Sequence, residues 1–311
     1  MSVKKKSVVL VPYDFGPKSQ SALEEAKKVT KYLNGEIYLL TVVRRPDFLT
    51  QLFRSEKEHR KNIRAVQNKL KEVVEKTRAT TNTKIHYIVE EGSPIEVIIE
   101  QAELLSAQYI VMGKMDKTVS EFHFVGPLTT SVVASAPCPV MTVGTNQIKE
   151  EGFSNIVLPI DLTKSTLEKV VKAVSWAKYY KSTIHLVGVL KKGANIATSR
   201  LVMKMEKAKW IVEQEGVNVT AQTYIDSDEP IDEIIIRHVE QVNGDLLMIM
   251  THQELGVNDT YIGAVAQNLL KKSDVPTVSF TTKAISHNDY FVSNFLPFEL
   301  LSVKESKILK K

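Results

Sequence analysis

Short apolar runs rich in valine, isoleucine and leucine alternate along this chain with segments whose apolar positions recur every three or four residues. The first kind includes "VVLVPY" (8–13), "EIYLLTVV" (36–43), "KIHYIVEEG" (84–92), "YIVMG" (109–113) and "PVMTV" (139–143). Runs of this length and composition read as strands buried on both faces. Between them, "SQSALEEAKKVTKYL" (19–33), a charged stretch over about 55–76, "PIEVIIEQAELLSA" (94–107) and "PLTTSVVASA" (127–136) carry helical spacing. Asn34-Gly35 gives the first of these helices a stop, and Pro94 and Pro127 stand at favoured first helical positions. Strands alternating with helices predict an α/β fold with a parallel sheet covered on both sides.

The same order is then written a second time. "SVVLVPYDF" (7–15) returns as "NIVLPIDLT" (155–163), and "EIYLLTVV" returns as "TIHLVGVL" (183–190), both at an offset of 147. From Tyr87/Tyr224 onward, through Gly126/Gly263 and Pro139/Pro276, the offset is 137. The second copy therefore lacks ten residues between the counterparts of Val43 and Tyr87. This predicts two tandem Rossmann-like domains, each a five-stranded parallel sheet with helices on both faces. Their expected bounds are 1–146 and 153–282, followed by a segment at 283–311 with no counterpart in the first copy. Phe291, Phe295, Leu296, Phe298 and Leu300 make that segment too apolar for a free tail, so it should dock on its own chain or on a second copy.

Composition removes several function classes. The 311 residues are long enough for two ordinary cores, and 43% hydrophobic with 25% charged is a globular balance. The net charge of +5 lies in residues 1–150, with 22 Lys+Arg against 17 Asp+Glu; the rest is even at 19 each. No basic stripe interleaves with aromatics, so no nucleic-acid partner is expected. "SVKKKSVVLVP" imitates a signal peptide, but its apolar run is short and has no small-residue cleavage site. No run of eighteen apolar residues exists, so no membrane partner is expected. One cysteine, Cys138, cannot form an internal disulfide, which fits a reducing cytoplasm. The histidines show no metal-ligand spacing and no Gly-x-Ser-x-Gly elbow occurs, so neither a metal nor a catalytic residue is assigned.

On these residues both copies resemble the universal stress protein family. Its members open with a strand ending in Pro-x-Asp, here "VPYD" and "LPID". They continue with Met-Gly-x-x-Gly, nine residues, then Gly-Ser or Gly-Thr, and end with Pro-Val-x-Val. The spacing is kept in both copies. Gly113, Asp116 and Gly126 fill the three glycine places in the first, and Met250, Gln253 and Gly263 in the second. In members that bind ATP, the resemblance implies that the aspartate of Pro-x-Asp contacts the adenosine end and a second-strand valine lines the adenine pocket. By position these are Asp14 and Val42, and Asp161 and Val189. Pro12, Met112, Gly113, Gly126 and Gly263 complete the implied binding set. The plain alternative for Asp14 and Asp161 is a cap on the helix that follows.

The phosphate end is damaged in both copies. Glycine lets backbone N–H groups turn toward an anion beside a helix N-terminus. Asp116 adds a negative charge there, and Pro127 removes a hydroxyl and an N–H while remaining a good helix start. In the second copy Met250, Gln253 and Ala264 replace two glycines and the hydroxyl, with Asp259 or Thr260 expected to cap the helix; His252 matches a histidine common in the family's loop. ATP is therefore expected to bind weakly or not at all. The reading is a non-enzymatic binding or regulatory protein, for a protein or small-ligand partner; the first alternative is an ATP-binding, slowly hydrolysing member. "KMDKT" (114–118) also resembles the signature loop of class I aminoacyl-tRNA synthetases, but no His-x-Gly-His element accompanies it, which leaves an adenylating enzyme as the weakest alternative.

Two further expectations concern assembly and access. The family commonly dimerises through the fifth strand, which implies that "PVMTVG" (139–144) and "PTVSFT" (276–281) pair about a pseudo-twofold axis within the chain. Pairing would hide two edges otherwise open to aggregation. The segment 44–60, with Phe48, Leu49, Leu52 and Phe53, reads as a lid, a partner surface or a helix on its own domain.

Overall fold

Valine- and isoleucine-rich runs form ten strands in a computed structural model that describes residues 6–44, 56–114, 126–144, 152–162, 166–191, 200–251 and 262–281. In the first copy these are β1 (Val8–Pro12), β2 (Glu36–Val43), β3 (Lys84–Glu91), β4 (Tyr109–Gly113) and β5 (Val140–Val143). In the second they are β6 (Asn155–Pro159), β7 (Thr183–Lys191), β8 (Val219–Ser227), β9 (Leu246–Met250) and β10 (Thr277–Phe280). The helices of the first copy are α1 (Pro17–Leu33), α2 (Glu56–Arg78), α3 (Pro94–Leu104) and α4 (Pro127–Ser135). Those of the second are α5 (Thr166–Tyr180), α6 (Arg200–Gln214), α7 (Ile231–Gln241) and α8 (Ala264–Lys272).

Local signals place the helix ends. Pro17, Pro94 and Pro127 each stand at the start of a helix, where a missing N–H costs nothing. Asn34 closes α1 in the left-handed region at φ 50°, and its counterpart Lys181 follows α5 at φ 59°. Gly35 is required by close approach, since a Cβ there would lie 2.4 Å from the Ser7 carbonyl oxygen.

The strands join into one ten-stranded sheet in the order β3-β2-β1-β4-β5-β10-β9-β6-β7-β8. Neighbours within each half are parallel, whereas β5 and β10 meet antiparallel, with Met141 opposite Val278. The order reads the same from both ends, which is the expected pseudo-twofold pairing at the expected strands. Each core layer is continuous across the junction. On one face β-strand residues pack with Leu23 of α1, Leu70 of α2, Ala173 of α5 and Met205 of α6. On the other they pack with Ile98 of α3, Val133 of α4, Ile235 of α7 and Leu269 of α8.

Strand pairing is only half of the junction. Trp176 of α5, fully buried, donates its indole N–H to the Tyr109 hydroxyl at 3.1 Å. Tyr32 of α1 lies 5.2 Å from the Trp176 ring and 2.7 Å, hydroxyl to hydroxyl, from Ser175. Tyr180 donates to the Lys28 carbonyl at 2.9 Å and meets Phe153 edge-on. Aromatic pairs of this geometry add about 0.5–1.5 kcal/mol beyond the area they bury. On the opposite face, buried Lys114 reaches from the end of β4 to the Ser273 carbonyl at 2.6 Å, placing a cation at the C-terminus of α8.

Cys138 is buried, and burial pushes its thiol up to about 12, so the side chain behaves as a small hydrophobe. Among the described residues no helix is long and apolar enough to cross a membrane. The expected segment at 283–311 and the candidate lid residues Phe48, Leu49, Leu52 and Phe53 lie outside the described residues.

Candidate functional site

Strand order reverses between β1 and β4 in the first half and between β6 and β9 in the second. At such a point the connections leave in opposite directions, and a crevice opens beyond the carboxyl ends of the strands. The turns after β1 and β6 carry Asp14 and Asp161; β4 and β9 end at Gly113 and Met250. Both halves thus bring the sequence-predicted residues to the same place. They then diverge.

In the second half the crevice is a cavity of about 390 Å³. Asp161, Val189 and Gly263 all line it, as do Pro159 and Met250. Thr251 forms part of the floor: its amide and its hydroxyl donate to the Phe280 carbonyl at 3.0 and 3.1 Å. Its carbonyl accepts from Gly263 N–H at 2.9 Å. Gly263, at φ −58° and ψ 148°, is the N-cap of α8, which has no side-chain cap. The expected caps, Asp259 and Thr260, lie outside the described residues. Most of the wall is aliphatic, from strands, α6, α7 and α8 together.

Lys169 also lines this cavity, and the sequence reading missed it. It is 1% exposed, and its Nζ donates to the Pro159 carbonyl. Burial holds its pKa below the usual lysine value, opposed by the charge of Asp161. The repeat offset of 147 puts Lys169 opposite Ala22, which is fully buried in α1. Setting the two copies side by side was the signal available: a lysine stands where the sister helix has alanine.

The first half packs tightly at the matching strand end. A Cβ on Gly113 would lie 2.6–2.7 Å from the Cβ and backbone of Lys18, so the first turn of α1 sits directly on the end of β4. Met250 occupies the matching place in the second half. Phe15, at φ 66°, folds back onto the core, with Tyr13 edge-on at 5.4 Å and Lys69 Nζ 4.4 Å from its ring centroid. A non-glycine residue in this region is uncommon and strained. Its counterpart Leu162 is 60% exposed at the rim of the second cavity.

Asp14 is exposed and accepts from Gly16 N–H at 2.9 Å and from the Ser19 hydroxyl at 2.7 Å. The N-cap of α1 is Gly16, with no side-chain cap. The capping alternative is thus corrected: Asp14 lies two residues before the cap and stabilises the turn, not the helix end. Asp161 keeps part of this arrangement, its amide donating to Thr166 Oγ1 at 3.4 Å. Pro12 ends β1, Val42 is half-buried on β2, and Met112 is buried in β4. Gly126 caps α4 at φ −58° and ψ 150°, and Pro127 starts that helix as expected. Asp116, His252 and Gln253 lie outside the described residues.

The likeness to known proteins agrees with this architecture. The model of the universal stress protein family matches residues 7–144 and again 152–279. A universal stress protein of Methanocaldococcus jannaschii is 31% identical over 146 residues, 43% of this chain and 80% of that protein. Among solved structures, a universal stress protein from Archaeoglobus fulgidus superposes with a TM-score of 0.71 at 19% identity, covering 88% of this chain and 96% of that one. A functionally unknown protein from Pseudomonas aeruginosa superposes at 0.62 and 16% identity, over 91% and 95% of the two chains. Two matches to one family model, in order and over most of the sequence, make this chain a tandem member of the universal stress protein family.

Proposed function

We propose that this chain is a non-enzymatic ligand-binding and regulatory member of its family, with a working cavity in the second half and no triphosphate cradle in either. The observation that carries this reading is the asymmetry at the switch points. Asp161, Val189 and Gly263 border a cavity of about 390 Å³, within the range of small-molecule sites, whereas Gly113 lets α1 sit directly on β4 in the first half. At the place where a phosphate loop needs glycine and a hydroxyl, the second half has Met250 and Ala264. Asp161, Val189 and Gly263 are the proposed ligand contacts; Pro12, Asp14, Val42, Met112, Gly113 and Gly126 are their first-half counterparts. We keep 1–146 and 153–282 as the two domains, and a cytoplasmic setting on the strength of the single buried thiol.

One observation favours a second reading, an ATP-binding member. Gly126 and Gly263 cap α4 and α8 with the same backbone geometry and, among the described residues, no side-chain cap, the kind of helix start that can receive an anion. Calorimetric titration of the whole chain with MgATP separates the two. The proposal predicts a dissociation constant weaker than about 10 μM, roughly −7 kcal/mol. Tighter, stoichiometric binding favours the second reading.

A further inference from the structure

We propose that the cavity of the second half takes an apolar molecule with one carboxylate head, seated with that carboxylate against Lys169. The inference deepens the ligand-binding reading above and rests on it. Its first ground is the wall. Ile160, Val187, Leu190, Ile231, Ile249 and Leu269 give the cavity an aliphatic lining drawn from both strands and helices. Leu162 extends that surface to the rim, 60% exposed to water. An aliphatic chain entering here would remove its own apolar surface and that of Leu162 from water together.

The second ground is Lys169 itself. Its place on α5 does not call for a cation, since the matching place on α1 is filled by Ala22, just as deeply buried. An ammonium carries three donors, and here one is met by the neutral Pro159 carbonyl. Burying a charge is costly unless it is paired and hydrogen-bonded. Asp161 is the negative group near enough to favour the charged form, but it stands partly open to water at the mouth of the cavity, which weakens its field. A carboxylate carried down by an apolar chain would supply the missing partner at depth. One ammonium matches one negative charge, which distinguishes this occupant from a triphosphate.

The test is a set of calorimetric titrations of the full chain with decanoate, decanol and decyltrimethylammonium, three probes of similar apolar length and different heads. The inference predicts that decanoate binds once per chain, at least about tenfold more tightly than decanol, with the cation weakest. Lys169→Met, which keeps an unbranched apolar stem, should abolish the preference for decanoate over decanol, and Lys169→Ala should do the same. Equal affinities for decanoate and decanol in the wild-type chain overturn the inference whether or not the variants fold. So does a preference that survives Lys169→Met in a variant with native circular dichroism, or no decanoate binding at about 1 mM. Failure of decanoate with MgATP also silent removes this ligand class alone. Tight MgATP binding removes the ligand-binding reading beneath it.

Discussion

Gly113 shows how one residue can carry two readings. By sequence it belongs to a nucleotide loop, yet in the fold its missing side chain is what lets the backbone of Lys18 approach. Gly113→Ala should therefore destabilise the protein by about 1–3 kcal/mol, as overpacking does. Urea denaturation checks this; a variant as stable as the wild type would show that α1 can retreat at no cost. A second prediction at this scale concerns His185 and His238. His185 is held between Thr220 Oγ1 at 2.8 Å and Asn155 Oδ1 at 3.1 Å, with the charge of Asp245 nearby. His238 meets the Tyr224 hydroxyl at 3.0 Å, and its Nε2 is buried without a partner. Burial holds both below the ordinary value of 6.5. Their folded-state pKa values are depressed, so the unfolded chain takes up protons first. Stability is thus full above pH 6.5 and is lost as pH falls from there toward the folded values. The urea midpoint of His238→Gln should fall less steeply between about pH 7 and pH 5.5 than that of the wild type. Parallel slopes would show that His238 does not take part.

Elements were the most legible level, because their signals are local. Asn34, Pro94 and Pro127 mark helix ends by their own backbone preferences, and the strands declare themselves by unbroken apolar runs. The two offsets then supplied the topology, since a repeated unit must fold twice the same way. Contacts that depend on distant residues were not legible. Nothing around Trp176 in "SWAKYY" says that its indole meets Tyr109, and Lys169 in "EKVVKA" looks like any solvated lysine until α5 is seen with that face turned inward. The loss of glycines was legible in both phosphate loops. The cavity beside Asp161 and the close approach of α1 to Gly113 required the tertiary structure.

The whole molecule behaves as one body in this account, because the sheet and both core layers run through the junction. Met141 stands at the centre of that junction, fully buried between Val111 and Val278. Met141→Ala should cost about 2–5 kcal/mol and shift a single cooperative transition, leaving its denaturant slope unchanged. Two separate transitions, with only one displaced, would mean that the halves are thermodynamically independent. Function at this scale comes from the difference between the halves, and titration of MgATP against the wild-type chain and an Asp116→Gly/Pro127→Ser variant tests it most directly. The account predicts that the wild type binds more weakly than about 10 μM, while the variant gains about 1.5–3 kcal/mol for each hydrogen bond restored to a phosphate oxygen. A wild-type chain that binds MgATP at about 10 μM or tighter would contradict it.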